Sequence, residues 1–251
     1  MIYEMLSHTA RKRIIADITN INSDDIKRQG IYYKMNDADI SCGTALIIGP
    51  PNTPYEGGFY FFSIKFPTDY PFSPPAMLTL TQDGRTRFNP NMYREGKVCL
   101  SLLNTWHVGD RWSGCQSLST VLLCLLTSVL IEKPLANEPG FETRGAGPEG
   151  EVYSRMVLHA NIETAFLKMI TAPPPFAHEF YEEMLENYHK NKGRMIDLAV
   201  GMCDYDNKTE IFEFFNMMGT YKFSTLADRI REAVPRCPDA TVPAASANPI
   251  T

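Results

Sequence analysis

The sequence predicts an α+β domain, and three observations point to it. Apolar residues recur at helical spacing early in the chain, alternate with a period of two through the next stretch, and return to helical spacing after Ser117. Segments dense in Pro, Gly and Asn separate the alternating stretches, so the strands are linked by short turns and pair as an antiparallel meander. The strands also come in one run and the helices in another, the order expected of an α+β chain.

Each element follows from its own pattern. Ile14, Ile15, Ile18 and Ile21 predict a first helix over Ala10 to Ile21, with Arg11, Lys12 and Arg13 as a basic face. Ile40, Cys42, Thr44, Leu46 and Ile48 alternate as one strand, and Tyr60, Phe62, Ile64 and Phe66 as another. Between them runs Gly49-Pro50-Pro51-Asn52-Thr53-Pro54-Tyr55-Glu56-Gly57-Gly58, a concentration of turn residues. Ala76 to Thr81 reads as a further strand. Leu118, Val121, Leu122, Leu125 and Val129 form a helical stripe with Ser117 as its cap, ended by Pro134. A Gly-rich loop spans Gly140 to Gly150. A helix follows over Glu151 to Ile170, broken by Pro173-Pro174-Pro175, and another over Phe176 to Lys192. Lys208 to Ala233 predicts one or two more helices around Ile211, Phe212, Phe214 and Phe215. The Pro, Ala, Ser and Thr of residues 235–251 predict a disordered tail.

Composition removes several function classes. At 251 residues and 44% hydrophobic, the chain can bury a large core and is not globally disordered. A net charge of −5, from 24 basic and 29 acidic residues, argues against non-specific nucleic-acid binding. Leu118 to Ile131, the most apolar run, is too short to span a bilayer, so no membrane partner is expected. The six cysteines allow three disulfides. However, Glu4 and His8 interrupt the opening stretch, which does not read as a signal peptide. Free thiols in a reducing compartment, cytoplasmic or nuclear, are therefore expected. No Cys or His spacing suggests a metal site.

The most informative residue is Cys99, in Phe88-Asn89-Pro90-Asn91-Met92-Tyr93-Arg94-Glu95-Gly96-Lys97-Val98-Cys99-Leu100-Ser101-Leu102-Leu103. Alternation alone would make it a core cysteine beside Val98 and Leu100. The surrounding motifs overturn that reading. Pro67-Thr68-Asp69-Tyr70-Pro71-Phe72-Ser73-Pro74-Pro75-Ala76 lies upstream, and Trp106 and Trp112 follow. In this order these motifs resemble the ubiquitin-conjugating enzyme family, most strongly from Cys42 to Phe141 and more weakly to Lys192. Asn89-Pro90-Asn91 stands where most of that family has His-Pro-Asn. With the Thr105-Trp106 insertion and Asn137-Glu138-Pro139-Gly140-Phe141, it resembles one subgroup. That subgroup includes the Z-type enzyme, charged by the alternative activating enzyme, and the conjugating domains of giant hybrid conjugase-ligases.

The resemblance implies a UBC fold with an N-terminal helix, a four-stranded antiparallel meander, an active-site loop and C-terminal helices. It places the UBC core domain at 1–195 and leaves 196–234 as a C-terminal helical extension. It implies that Cys99 takes ubiquitin as a thioester from an activating enzyme, which uses the ATP. It implies no metal or cofactor on this chain. Implied partners are ubiquitin or a ubiquitin-like modifier, the activating enzyme, a RING-type ligase and protein substrates. Phe72, with Pro71, matches the loop that engages such ligases; an inward-packed Phe is the other reading. Ser113-Gly114-Cys115 stands where the family's second contact loop usually reads Ser-Pro-Ala. Arg11, Lys12 and Arg13 are candidates for an acidic surface on the activating enzyme, or a solvated face.

The chemistry sets its own demands. Acyl transfer needs a thiolate, and a free cysteine with a pKa of about 8.5 is mostly protonated at neutral pH. The tetrahedral oxyanion needs a donor, which an amide supplies without charge. Asn91 fits that role; it also fits a bracing role, and the two coexist. Asn89 is expected to order the turn in support. Glu132 is a candidate carboxylate near the incoming amine, with a solvated helix end as the alternative. Two rival functions stay open: a catalytically inactive ubiquitin-binding scaffold of the same fold, and a conjugase for another ubiquitin-like modifier.

Overall fold

The computed structural model describes residues 6–106 and 109–237. Helix α1, His8–Ile21, is capped by Ser7, whose side chain accepts from the Ala10 amide. Its buried face is Ala10, Ile14, Asp17 and Ile21; Ile15, expected in the stripe, is exposed. A short α2, Asp24–Arg28, turns the chain at Gly30 into β1, Ile31–Asn36. The sequence does not show this strand as an alternating set, because adjacent Tyr32 and Tyr33 put aromatic rings on both faces, although only Ile31 and Tyr33 are buried. β2 (Asp39–Ile48), β3 (Phe59–Lys65) and β4 (Ala76–Thr79) follow, antiparallel in the order β1-β2-β3-β4. The pairs Tyr33↔Ala45, Leu46↔Phe61 and Ile64↔Met77 fix the register. Every residue of β3 except Lys65 is buried, which is why it reads as an almost unbroken apolar run.

After the site loop, α3 (Leu118–Cys124) begins at Ser117 with a capping box to Thr120, as expected, and widens into a π-helical turn over Leu125–Val129. α4, Pro148–Ala160, starts earlier than expected, with Pro148 in its first turn. It continues as π-helix through Asn161–Lys168 and closes with α5, Met169–Thr171. Phe166 stacks between Phe59 of β3 and Tyr188 of α6, Tyr181–Val200. These rings form the seam between sheet and helices.

α6 runs without a break through residue 195. Beyond it the expected helices are replaced in part. Lys208 to Ala233 holds a hairpin of β5 (Thr209–Phe212) and β6 (Met217–Thr220), then α7 (Phe223–Glu232). Phe212 and Phe215 have helix-like spacing, but Phe212 ends β5 and Phe215 lies in the tight reversal that Asn216 closes at φ +49°, and both bury against Tyr153 of α4. The tail expected over 235–251 lies, from 238 onward, outside the described residues. All six cysteines are free thiols. Among the described residues, no helix is long and apolar enough to cross a membrane, and no three His, Cys, Asp or Glu gather as a metal site.

Candidate active site around Cys99

The loop that carries Cys99 hangs from a buried turn. Asn89 is fully buried. Its Nδ2 donates to the Tyr55 hydroxyl and to the Val129 carbonyl, each at 2.8 Å, and its Oδ1 accepts from the Asn91 amide at 2.9 Å. Tyr55 in turn donates to the Phe88 carbonyl at 2.6 Å. One amide therefore ties the Asn-Pro-Asn turn to the start of the site loop and to the end of the α3 rod. Asn89 reaches no solvent, so it acts by positioning.

From Asn91 the chain leaves the turn and comes back. The Tyr93 backbone amide donates to the Lys97 carbonyl at 2.9 Å, and Gly96 turns the loop at φ +99°. A side chain at Gly96 would be strained, with its Cβ 3.0 Å from Gln82 Nε2. The return brings Cys99 alongside Asn91. The Cys99 amide donates to the Asn91 carbonyl at 2.9 Å, and Asn91 Nδ2 donates to the Cys99 carbonyl at 2.7 Å. The geometry of Asn91 is thus that of a brace on the Cys99 peptide. Cys99 itself is 2% exposed.

Thr105 holds the other side, and sequence reasoning gave it no role. Its Oγ1 donates to the Val98 carbonyl at 3.0 Å and accepts from the Leu100 amide at 2.9 Å, straddling Cys99. The only signal was its place in the Thr-Trp insertion. Glu138 is a second residue to which the sequence gave no role of its own, beyond its place in the Asn137 to Phe141 motif. Its neighbour Asn137 donates to the Ser128 and Val129 carbonyls at 3.1 and 3.3 Å, so the segment abuts the oxygen that Asn89 grips. Burial raises the Glu138 carboxyl above its ordinary range, with Arg87 pulling the other way. Glu132, the carboxylate singled out from sequence, is exposed, as is Lys133.

The expected docking residues divide. Phe72 is 77% exposed, so it points outward, and Ser113 is exposed too. Trp112 joins their loops by donating from Nε1 to the Pro71 carbonyl at 2.8 Å. Arg11 and Lys12 are exposed on α1. Arg13 corrects the expected basic face, because it turns inward. Its Nε pairs with Asp17 at 2.9 Å, Nη1 donates to the Gly114 carbonyl at 2.8 Å, and Nη2 reaches the Gln116 carbonyl. Asp17, 5% exposed, also accepts from the Tyr70 hydroxyl and from the Leu118 amide. Arg13 is therefore a strut between α1 and the loop after Trp112.

A family model described as ubiquitin-conjugating enzyme matches residues 13–149. The chain is 41% identical over 168 residues to ubiquitin-conjugating enzyme E2 Z of Xenopus tropicalis, covering 66% of this chain and 52% of the relative. It is 39% identical over 181 residues to the Homo sapiens protein of that name, covering 70% and 50%. With the dual E2 ubiquitin-conjugating enzyme/E3 ubiquitin-protein ligase BIRC6 of Mus musculus it shares 36% over 169 residues, 62% of this chain and 4% of that one. The chain spans about half the length of the E2 Z relatives it matches.

Proposed function

The chain belongs to the ubiquitin-conjugating enzyme family, and we propose that it accepts ubiquitin as a thioester on Cys99 and passes it to a lysine or to a ligase cysteine. One observation carries this reading: the Cys99 peptide is gripped on both of its polar groups by Asn91, while Thr105 bridges the residues on either side. A thiol that must meet an acylated partner at one position needs a fixed backbone, because small displacements of a reacting group cost large factors in rate.

The steps are two acyl transfers. The Cys99 thiolate attacks the carbonyl carbon of the thioester on the activating enzyme; a new C–S bond forms and the donor cysteine leaves as a thiolate. An amine then attacks the same carbonyl, gives up a proton and expels the Cys99 thiolate. Each step passes through an oxyanion. One N–H of Asn91 is engaged on the Cys99 carbonyl, which leaves the other as the candidate oxyanion donor. Glu132 and Glu138 are the candidate carboxylates for the incoming amine. Because Cys99 is 2% exposed, neighbouring side chains must give way before the carbonyl reaches Sγ. The reaction needs no metal or cofactor on this chain, since ATP is consumed by the activating enzyme. Arg11 and Lys12 are proposed to meet that enzyme, and Phe72 with Ser113 a RING-type ligase.

The test is a charging reaction with ATP, ubiquitin and either the common or the alternative activating enzyme, run on reducing and non-reducing gels. A thiol-labile adduct in wild type and none in Cys99→Ala is the expected result; no adduct with either enzyme or with another modifier defeats the proposal. A second reading, a modifier-binding scaffold of the same fold, draws on the burial of Cys99. It predicts that Cys99→Ala retains modifier binding and full activity in cells.

A further inference from the structure

We infer that the C-terminal hairpin β5–β6 clamps the active-site turn, with Phe215 and Arg94 as positioning residues for Cys99. The inference rests on the reading of Cys99 as the acceptor. The hairpin lies at residues 209–220, beyond the stretch that the family model matches.

Arg87, just before the turn, places its guanidinium between two rings, 3.8 Å from the centroid of Tyr93 and 4.3 Å from that of Phe215. Its Nη2 donates to the Pro90 carbonyl at 2.5 Å. Pro90 sits between Asn89 and Asn91, and Asn91 grips Cys99 through both backbone groups. The ring of Phe215 therefore closes one face of a cation whose other end fixes the turn. A guanidinium held between aromatic planes has little freedom left, so its donor stays aimed.

A second strand of contacts runs in parallel. Arg94, in the loop between Asn91 and Cys99, donates from Nη2 to the carbonyls of Phe215 and of Asn216, the latter at 3.0 Å. Asn216 holds the left-handed conformation that points this carbonyl out of the hairpin end. Tyr153 closes the arrangement from α4. Its hydroxyl donates to the Arg87 carbonyl at 2.7 Å, and its ring lies 5.3 Å from Phe212 and 5.5 Å from Phe215. The hairpin thus touches the segments on both sides of the Asn-Pro-Asn turn, and it touches them through groups that set the turn's position.

The experiment uses the full chain, and its first readout needs no modifier. Cys99 and the exposed Cys115 are alkylated in the same molecules with iodoacetamide, and mass spectrometry gives the ratio of their rates. Cys115 corrects for reagent and pH. Removing the clamp in Phe215→Ala, or its hydrogen bonds in Arg94→Gln, should loosen the turn and raise the Cys99 to Cys115 ratio several-fold. Phe215→Tyr, which keeps the ring, should restore the wild-type ratio. Leu226→Ala, a core truncation in α7, controls for general loss of stability and should leave the ratio alone. In single-turnover discharge of the loaded protein to free lysine, Phe215→Ala should be slower on the order of tenfold. An unchanged ratio in both Phe215→Ala and Arg94→Gln, or an equal shift in Leu226→Ala, overturns the inference. A shifted ratio in a protein that forms no thioester leaves the clamp standing and removes the conjugating function instead.

Discussion

Asn89 uses both of its N–H groups and its oxygen inside the protein, on Tyr55, Val129 and Asn91. Its removal strips the Asn91 amide of its acceptor in a buried site, where an unmade hydrogen bond costs more than a made one contributes. Asn89→Ala should lower stability by about 2–4 kcal/mol in urea denaturation. A loss within the scatter of surface substitutions would mean that water replaces the amide at no cost. The ordering role of this residue was legible in the sequence, since Asn before Pro favours local bonds. The Thr105 bridge was not, because nothing in a six-residue separation says that a hydroxyl will fold back over Cys99. Asn91 lay between: its two possible roles are chemically compatible, and only the 2.7 Å bond to the Cys99 carbonyl identified the brace.

At the scale of elements, α1 shows how one basic run divides into two roles. Arg11 and Lys12 face water, whereas Arg13 joins Asp17 to the loop after Trp112. Charge-assisted bonds to partly buried groups are stronger than neutral ones. Arg13→Ala should therefore cost about 1–3 kcal/mol by chemical denaturation, while Arg11→Ala leaves the melting temperature where it was and slows only charging by the activating enzyme. Equal losses in the two variants would contradict the division. The Phe72 loop is the complementary case. Its ring is 77% exposed, so Phe72→Ala should not move the melting temperature. Ligase-stimulated discharge should fall on the order of tenfold, as for an aromatic anchor at an interface. Undiminished stimulation would place the ligase elsewhere.

Across the whole molecule, the C-terminal segment is joined to the core through α6, the site loop and α4. Arg155 pairs with Glu210 at 2.9 Å, and the backbone amide of Lys222, at the entry to α7, donates to His159 Nε2 at 3.2 Å. His159 packs against the rings of Tyr221 and Phe223. Burial lowers its pKa below the ordinary 6.5, although Glu163, Asp206 and Asp83 pull it upward. The unfolded chain therefore takes up the proton first. The stability from neutral His159 is complete above pH 6.5 and declines as the pH falls through that value towards the lower folded pKa. Melting curves should show wild type losing stability as the pH falls below 6.5, with a flatter profile in His159→Gln. Parallel profiles would assign the loss to other groups.

Two kinds of information were local and could be read in order along the chain. Side-chain periodicity determined the sequence of helix, meander and helices, because an apolar stripe reports which face of its own element is buried. Short motifs at set distances singled out Cys99. What tertiary structure alone decided was who meets whom. Arg13 turns inward to carbonyls 101 and 103 positions away, and Arg94 finds the Phe215 carbonyl 121 positions along the chain. The Phe212 and Phe215 cluster, read as helix, became the end of a hairpin because Tyr153 offered a ring surface that a local pattern does not encode. A buried polar group must find a partner somewhere, and the backbone path that brings the partner near is a property of the whole packed chain.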